Sequence, residues 1–242
     1  MAGHADILIA DNEQDFATLA AQKFVNVLEG LDHPLVTLPT GLTPLSFYKT
    51  LISDHANRRD LWDQMRFIAL DEYAGLPAGD ERLFAQWLGQ ALLNPLDIQT
   101  RALFDSAADP VTEATRMQKF MEQDGPLDVA VLGLGGNGHV AFNEPGTSFD
   151  QKAHVVTLTP ETVNANAAYW GGVDRVPRQG ITLGLADLAQ ARQTILLVKG
   201  TGKATILKRA LQGPVTTDVP ASYLQTIKNV TIIADRDAAQ DL

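Results

Sequence analysis

The chain reads as a single doubly wound α/β domain with a mostly parallel sheet and helices on both faces. Three observations predict this. Short apolar runs alternate along the chain with stretches of helical period, and strands that are apolar throughout belong to sheets covered on both faces. Glycine, threonine and proline gather where those runs end, as in 38–44 and 133–146, which marks strand-to-helix turns. A length of 242 residues, 45% of them hydrophobic, is enough for one sizeable core.

The elements follow in order. Asp6–Ala10, DILIA, is a strand, and Glu13–Leu28 carries the next helical pattern. Leu35–Leu38 is a second strand, and Pro44 opens the helix over Pro44–Ser53, where the fixed φ of proline suits a first turn. Arg66–Leu70 precedes a helix over Leu83–Leu93, and a helix near Val111–Glu122 feeds the strand Leu127–Leu132. Gln193–Val198, a helix over Lys203–Leu211 and a last strand at Val230–Ala234 complete the alternation. The stretch 155–181 is less regular and is expected to form a flap over the site. No repeat, low-complexity tract or linker interrupts 1–242, so one domain is expected.

Nineteen Lys and Arg against 29 Asp and Glu give a net charge of −10. Such a field repels nucleic acid and anionic membranes, and no basic cluster offsets it. No apolar run is long enough to span a bilayer, and the opening MAGHADILIADNEQ lacks a basic segment ahead of an apolar core. A cytoplasmic protein is expected. The absence of Cys excludes disulfides, thiolate catalysis and Cys-based metal sites.

The densest chemistry lies in Leu127–Gly146, LDVAVLGLGGNGHVAFNEPG. An apolar run ends in Gly133, Gly135, Gly136 and Gly138, which permit close backbone approach. Asn137, His139 and Glu144 then supply an amide, an imidazole and a carboxylate within one loop. His139 is the candidate for acid–base work near neutral pH, with a satisfied structural histidine as the plain alternative. One His and one Glu are too few for a metal site, and His154 lies beyond the loop.

The same loop fits G-x-G-x-x-G from Gly133 to Gly138. That fingerprint needs a long helix to follow, whereas Pro145 and Gly146 end any helix after about two turns. No acid closes the next apolar run, Val155–Leu158, to hold a ribose. No nucleotide cofactor is expected.

Three further segments carry chemistry. Leu38–Pro44, LPTGLTP, offers Thr40, Gly41, Leu42 and Thr43 at a helix start, where amides and hydroxyls can hold a phosphate. An ordinary turn with Thr43 as helix cap reads equally well. It is not a P-loop, since no G-K-[ST] follows. Asp71 and Glu72 end the run Phe67–Leu70, and their side chains should point in different directions. Asp71, partly desolvated, suits a general base, and a cap or solvated pair is the alternative. Lys203, in the turn KGTGK, can reach a phosphate or stand solvated.

With these segments placed, the chain resembles the glucosamine-6-phosphate deaminase/isomerase family along nearly its whole length. LPTGLTP, ALDEYAGL, LGLGGNGHVAFNEPG, VPRQGITLGL and VTTDVPAS fall in the family's order and spacing. Related sugar-phosphate lactonases and ribose-phosphate isomerases share the broad fold but not the pairing of LDEY with GNGHVAFNEP. The resemblance implies a Rossmann-like fold acting on an amino sugar phosphate. It implies Asp71 as the proton-transfer base, His139 as the group that opens the pyranose ring, and Glu144 and Asn137 as its partners. Thr40, Gly41, Leu42, Thr43, Gly138 and Lys203 become substrate or phosphate contacts. The implied reaction turns a hexosamine 6-phosphate into a ketohexose 6-phosphate and ammonia, with no metal or redox cofactor.

Some relatives carry Asp where this chain has Asn137, and an amide cannot share charge with His139. Many carry an Arg that binds phosphate in the helix matching Glu161–Trp170, where this chain has Ala168. Arg175 or Arg178 of the same segment are the candidate substitutes. That change, with the wording LGLGGNGH and ITLGLADLAQAR, is more similar to the galactosamine-6-phosphate branch. Allosteric relatives place basic residues just after the N-E-P loop, at positions matching His154 and Val156, and carry a longer C-terminus, so no allosteric activation is expected. A lactonase would use His139 to activate water and would not need Asp71. A non-catalytic sugar-phosphate sensor would need a DNA-binding helix pair, for which 1–13 has no room.

Overall fold

In the computed structural model, which describes residues 5–242, seven parallel strands form the main sheet and three short ones a second sheet. In chain order the strands are β1 (Asp6–Ala10), β2 (Leu35–Thr37), β3 (Arg66–Ile68), β4 (Asp71–Tyr73) and β5 (Thr100–Ala102). They continue as β6 (Val129–Gly133), β7 (His154–Thr157), β8 (Gln179–Thr182), β9 (Gln193–Val198) and β10 (Val230–Asp235). The helices are α1 (Glu13–Leu28), α2 (Leu45–Ser53), α3 (Arg59–Gln64), α4 (Phe84–Leu88) and α5 (Pro110–Asp124). After them come α6 (Pro160–Trp170), α7 (Leu185–Leu188), α8 (Ala204–Gln212) and α9 (Arg236–Ala239).

The main sheet runs β1-β10-β9-β6-β2-β3-β5, with every pairing parallel. From β2 the chain builds outward through β3 and β5, then returns to lay β6 on the other side of β2 and builds the opposite way. The strand order therefore reverses between β2 and β6. In such sheets the loops leaving the two strands at the reversal part to opposite faces and leave a crevice at their carboxyl ends. Here those loops are 38–44 and 134–146.

Burial explains the alternation. Leu35, Val36, Val129, Ala130, Val131 and Leu132 are sealed from solvent in the central strands, while α1 turns Phe16, Ala20, Phe24 and Leu28 inward. The Asn12 side chain caps α1 by accepting the Asp15 N–H at 3.0 Å, and Asp109 caps α5 through Thr112 at 2.9 Å; such caps contribute about 1 kcal/mol each. No helix among the described residues is long and apolar enough to cross a membrane.

The structure corrects the sequence reading in three places. The helix expected over Leu83–Leu93 is α only to Leu88 and continues as a π-helical turn over Gly89–Leu93. The segment 155–181, expected to be irregular, contains most of β7, all of α6 and most of β8. Finally, β3 stops at Ile68, and Asp71 opens β4 in place of closing the strand before it. The chain leaves the main sheet because Leu70 turns its carbonyl to the Leu183 N–H at 2.9 Å. β4 then pairs antiparallel with β8, Asp71 opposite Thr182, and β8 pairs with β7.

This second sheet has its own core of Tyr73, Phe142, Val156, Leu158, Val163, Trp170 and Val176. The Tyr73 ring meets Phe84, Phe142 and Trp170 at centroid distances of 5.0, 5.2 and 4.9 Å. Arg82 lies 4.5 Å over the Trp170 ring, joining the end of α6 to the approach of α4.

Candidate active site

Four chemically loaded segments follow the carboxyl ends of four adjacent strands, β9, β6, β2 and β3. The β2 loop presents unpaired donors at a helix start. Gly41 takes φ +96°, a backbone region that glycine enters without strain. Tyr48, in the first turns of α2, anchors the loop by donating its hydroxyl to the Pro39 carbonyl at 2.5 Å. The N–H groups of Thr40, Gly41, Leu42 and Thr43 and both threonine hydroxyls find no partner among the described residues. Thr43 does not cap α2, whose first residue is preceded by Pro44 with no side-chain cap. Unpartnered donors at the positive end of a helix suit a phosphate.

The adjacent acids after β3 divide their work. Glu72, 1% exposed, accepts the N–H groups of Phe84 at 3.0 Å and Ala85 at 2.9 Å and so holds the start of α4. Burial nonetheless raises its pKa, partly offset by those amides. Asp71 accepts no hydrogen bond from any described residue, and burial, with the Glu72 charge beside it, pushes its carboxyl up to about 8. A buried carboxyl with no structural bond to serve is available for proton transfer.

After β6 the chain forms a tight irregular loop, with one isolated bridge between Val140 and Asn143 and no helix. Glu144, 4% exposed, is its hub. Its Oε2 accepts from Asn137 Nδ2 at 2.8 Å and from the Thr159 hydroxyl at 3.2 Å, and its Oε1 accepts the Thr159 N–H at 3.2 Å. Burial alone would raise its pKa, but His139, Thr162 and Asn137 around it outweigh that and hold it at about 2. His139 Nδ1 stands 3.6 Å from Glu144 Oε2, within ion-pair reach but too far for a hydrogen bond. Asn137 also accepts the His139 backbone N–H through Oδ1 at 3.1 Å. Asn137, His139 and Glu144 therefore form one contiguous group.

Two glycines shape that group. A Cβ on Gly135 would fall 2.3 Å from His139 Nε2, so the imidazole lies against the bare α-carbon. Gly138, at φ +90°, faces Val219; its N–H goes to the Gly135 carbonyl, and its carbonyl accepts the Ala221 N–H. Gly135→Ala is expected to displace the ring and lower kcat about 100-fold or more, while the melting temperature moves little. Steady-state kinetics beside a thermal melt will check this.

Lys203 sits in the single turn Thr201–Lys203 ahead of α8, half-buried and in no ion pair with a described residue. Burial lowers its pKa, against an opposing pull from Glu161. Ala168 is exposed on α6. Arg175 and Arg178 are exposed on the segment after it, and Arg178 donates to the Val173 carbonyl at 3.2 Å. Two cavities of about 270 Å³ each lie elsewhere, one between α1 and α2 and one at the ends of β1 and β10. None of the candidate residues lines either, and Asp11, Glu13, Asp235 and Asp237 in the second are unsuited to a phosphate. Among the described residues no group of three or more His, Asp and Glu could hold a metal ion.

The family profile described as glucosamine-6-phosphate isomerases/6-phosphogluconolactonase matches residues 10–233. The chain belongs to this family. Its relatives include the glucosamine-6-phosphate deaminase of Oceanobacillus iheyensis, 38% identical over 98% of this chain and 96% of the relative. That of Geobacillus sp. is also 38% identical, over 96% and 94%. A solved monomeric glucosamine-6-phosphate deaminase superposes with a TM-score of 0.93 at 31% identity, covering 98% of this chain and 100% of the other. The 6-phosphogluconolactonase of Trypanosoma cruzi shares the fold, with a TM-score of 0.79 at 21% identity over 100% and 98%.

Within this member of the glucosamine-6-phosphate isomerase/6-phosphogluconolactonase family, three threonines escaped the sequence reading. Thr159 and Thr162 open α6 and touch Glu144 and His139. Thr182 of β8 accepts the Phe142 N–H at 3.3 Å while lying opposite Asp71, which joins the loop to the strand of the acid. Gly180 on the same strand is bare because the Phe142 ring fills its place, 2.6 Å from where a Cβ would sit. The motif VPRQGITLGL was the only signal pointing to the β8 pair.

Proposed function

We propose that the protein isomerises and deaminates a hexosamine 6-phosphate, giving a ketohexose 6-phosphate and ammonia. The observation that carries this reading is Asp71, a buried carboxyl just past the end of β3 with no hydrogen bond to serve and a pKa near 8. Removing a proton from carbon needs a base shielded from water and basic enough near neutrality. Lactone hydrolysis makes no such demand.

In the proposed mechanism the phosphate docks on the amides and hydroxyls of Thr40–Thr43, with Lys203 adding a positive charge. His139, backed by Glu144, moves the proton between the ring oxygen and the C1 hydroxyl, so that the sugar opens to an aldehyde. Asp71 takes the proton from C2, now acidified by the carbonyl, and returns it to C1 through an enolamine. The resulting ketimine adds water at C2 and expels ammonia. Asn137 holds Glu144 in place and, as a neutral amide, leaves the full carboxylate charge to His139. The stretch 155–181, which contributes α6 to the site, acts as the flap.

Every relative named above is called a glucosamine-6-phosphate deaminase or lies at lactonase distance. That supports the gluco epimer as the preferred substrate over the galacto epimer favoured by the motif wording. The test is to assay ammonia and ketose phosphate from glucosamine 6-phosphate and galactosamine 6-phosphate, with 6-phosphogluconolactone hydrolysis alongside. Release of ammonia with stoichiometric fructose 6-phosphate is the expected result. Lactone hydrolysis without ammonia from either amino sugar would overturn the proposal.

A further inference from the structure

We propose that Thr162 and Thr159 form a hydroxyl chain between His139 and Glu144 that fixes the imidazole tautomer, making Thr162 a positioning residue. The catalytic meaning of this inference rests on the function proposed above; its geometry does not.

The direct path from His139 Nδ1 to Glu144 Oε2 is open, at 3.6 Å. A second path runs through α6. His139 Nδ1 is 3.3 Å from Thr162 Oγ1, which is 3.3 Å from Thr159 Oγ1, which is 3.2 Å from Glu144 Oε2. Each step is a few tenths of an ångström longer than a typical hydrogen bond, and together they close a ring that the direct contact leaves more open.

The carboxylate at the end of the chain sets the direction we infer for each link. A carboxylate only accepts, and charge makes it the strongest acceptor present. Thr159 therefore gives its single hydroxyl proton to Glu144. Its oxygen is approached at 3.3 Å by Asn137 Nδ2, the Thr162 N–H and the Thr162 hydroxyl alike. In the arrangement we infer it accepts from that hydroxyl, and Thr162, its own proton so engaged, accepts from His139. Nδ1 then carries the hydrogen, which the Glu144 carboxylate 3.6 Å away also favours. Nε2 remains without a proton and, among the described residues, without a hydrogen-bond partner. An unprotonated Nε2 is the form needed to accept a proton from a sugar hydroxyl.

The local sequence suits this task. Thr159 is the N-cap of α6, and Thr162, 1% exposed, lies one turn into it. Thr159 also accepts the Thr162 N–H at 3.3 Å, so the two hydroxyls are held by one capping turn. The methyl groups of threonine restrict χ1 and keep each oxygen aimed. Serine would supply the oxygen with less constraint, and valine would supply the shape without the oxygen.

The experiment is a long-range proton–nitrogen correlation spectrum of the 15N-labelled full chain at mildly alkaline pH. Its five histidines are sorted by a His139→Gln control. Wild type is expected to show His139 in the Nδ1–H form. Thr162→Val is expected to move it toward Nε2–H and to lower kcat about tenfold with KM within about twofold, and Thr162→Ser to restore both readouts. An Nε2–H imidazole in wild type, or a valine variant with unchanged tautomer and kcat, overturns the inference. Should the valine variant fail to fold, the wild-type spectrum decides. Should neither amino sugar be turned over, the proposed function fails while the spectrum still tests the hydroxyl chain.

Discussion

Asp71→Asn is expected to abolish turnover and at the same time stabilise the fold, increasingly so as the pH rises. In the proposed mechanism the reaction loses its carbon base, which is worth about 100- to 10,000-fold in rate. The stability effect follows from linkage. In the unfolded chain this carboxyl ionises near 3.8, and in the folded protein burial delays that to about 8. Below pH 4 the group is neutral in both states and contributes no difference. Between pH 4 and 8 the unfolded state is favoured progressively, because only there can the acid release its proton. Above pH 8 the loss is complete. Delaying ionisation by one pH unit costs about 1.4 kcal/mol, but Asp71 remains 9% exposed and water reaches it, so we expect about 2–3 kcal/mol gained at pH 9 and almost none at pH 4. For a chain of this size that is roughly 5–10 °C in melting temperature. Melts across pH will check it, and a gain independent of pH would refute the assigned cause. The same group predicts that kcat/KM of wild type climbs with pH through about 8.

Glu144→Ala carries the second large effect, in the opposite direction. It strips acceptors from Asn137, from the Thr159 hydroxyl and from the N–H of the residue that caps α6. It also removes the anion beside His139. Unsatisfied buried donors cost about 1–3 kcal/mol apiece when no water replaces the partner, and the network acts as a unit. A loss of about 3 kcal/mol at pH 7 is expected, with kcat reduced about 100-fold or more. Because the folded pKa of Glu144 is depressed to about 2, its contribution is present above pH 4.5 and lost as the pH falls toward 2. Urea titrations should therefore find the gap between wild type and variant narrowing between pH 5 and 3. A constant gap would mean that the cost is one of packing.

The middle of the main sheet was legible because β6, β9 and β10 are buried along nearly their whole length, and a strand buried on both faces must be mostly apolar. Leu127–Leu132 and Gln193–Val198 are of that kind, with Asp128, Gln193 and Thr194 their only polar members. β4, β5 and β8 were hidden because each has only three or four residues and holds charge or glycine, as in DEY, TRA and QGIT. Nothing in such a run distinguishes a strand from a turn until its partner is known. The chemical inventory of the 134–146 loop was readable from residue types alone. The division of labour between Asp71 and Glu72 was not. It depends on where α4 starts, twelve residues farther on, and on which of two neighbouring side chains faces those free amides. The threonines of α6 were silent for a related reason. A hydroxyl takes its role from what stands opposite, and His139 and Glu144 reach it only through the fold.

Gly180 carries one more lesson, for anyone reshaping this enzyme. The Phe142 ring occupies the notch that this glycine leaves, and Glu144 lies two residues beyond that ring along the same loop. The two sheets are thus keyed like a lock stile and its bolt, at a point bearing no reactive group. Exchanging rim residues such as Leu42, 83% exposed, alters what the crevice meets and leaves the key alone. Any side chain at position 180 would shift the bolt, and with it the hub of the loop. Libraries aimed at new sugars should vary the rim and hold the key constant.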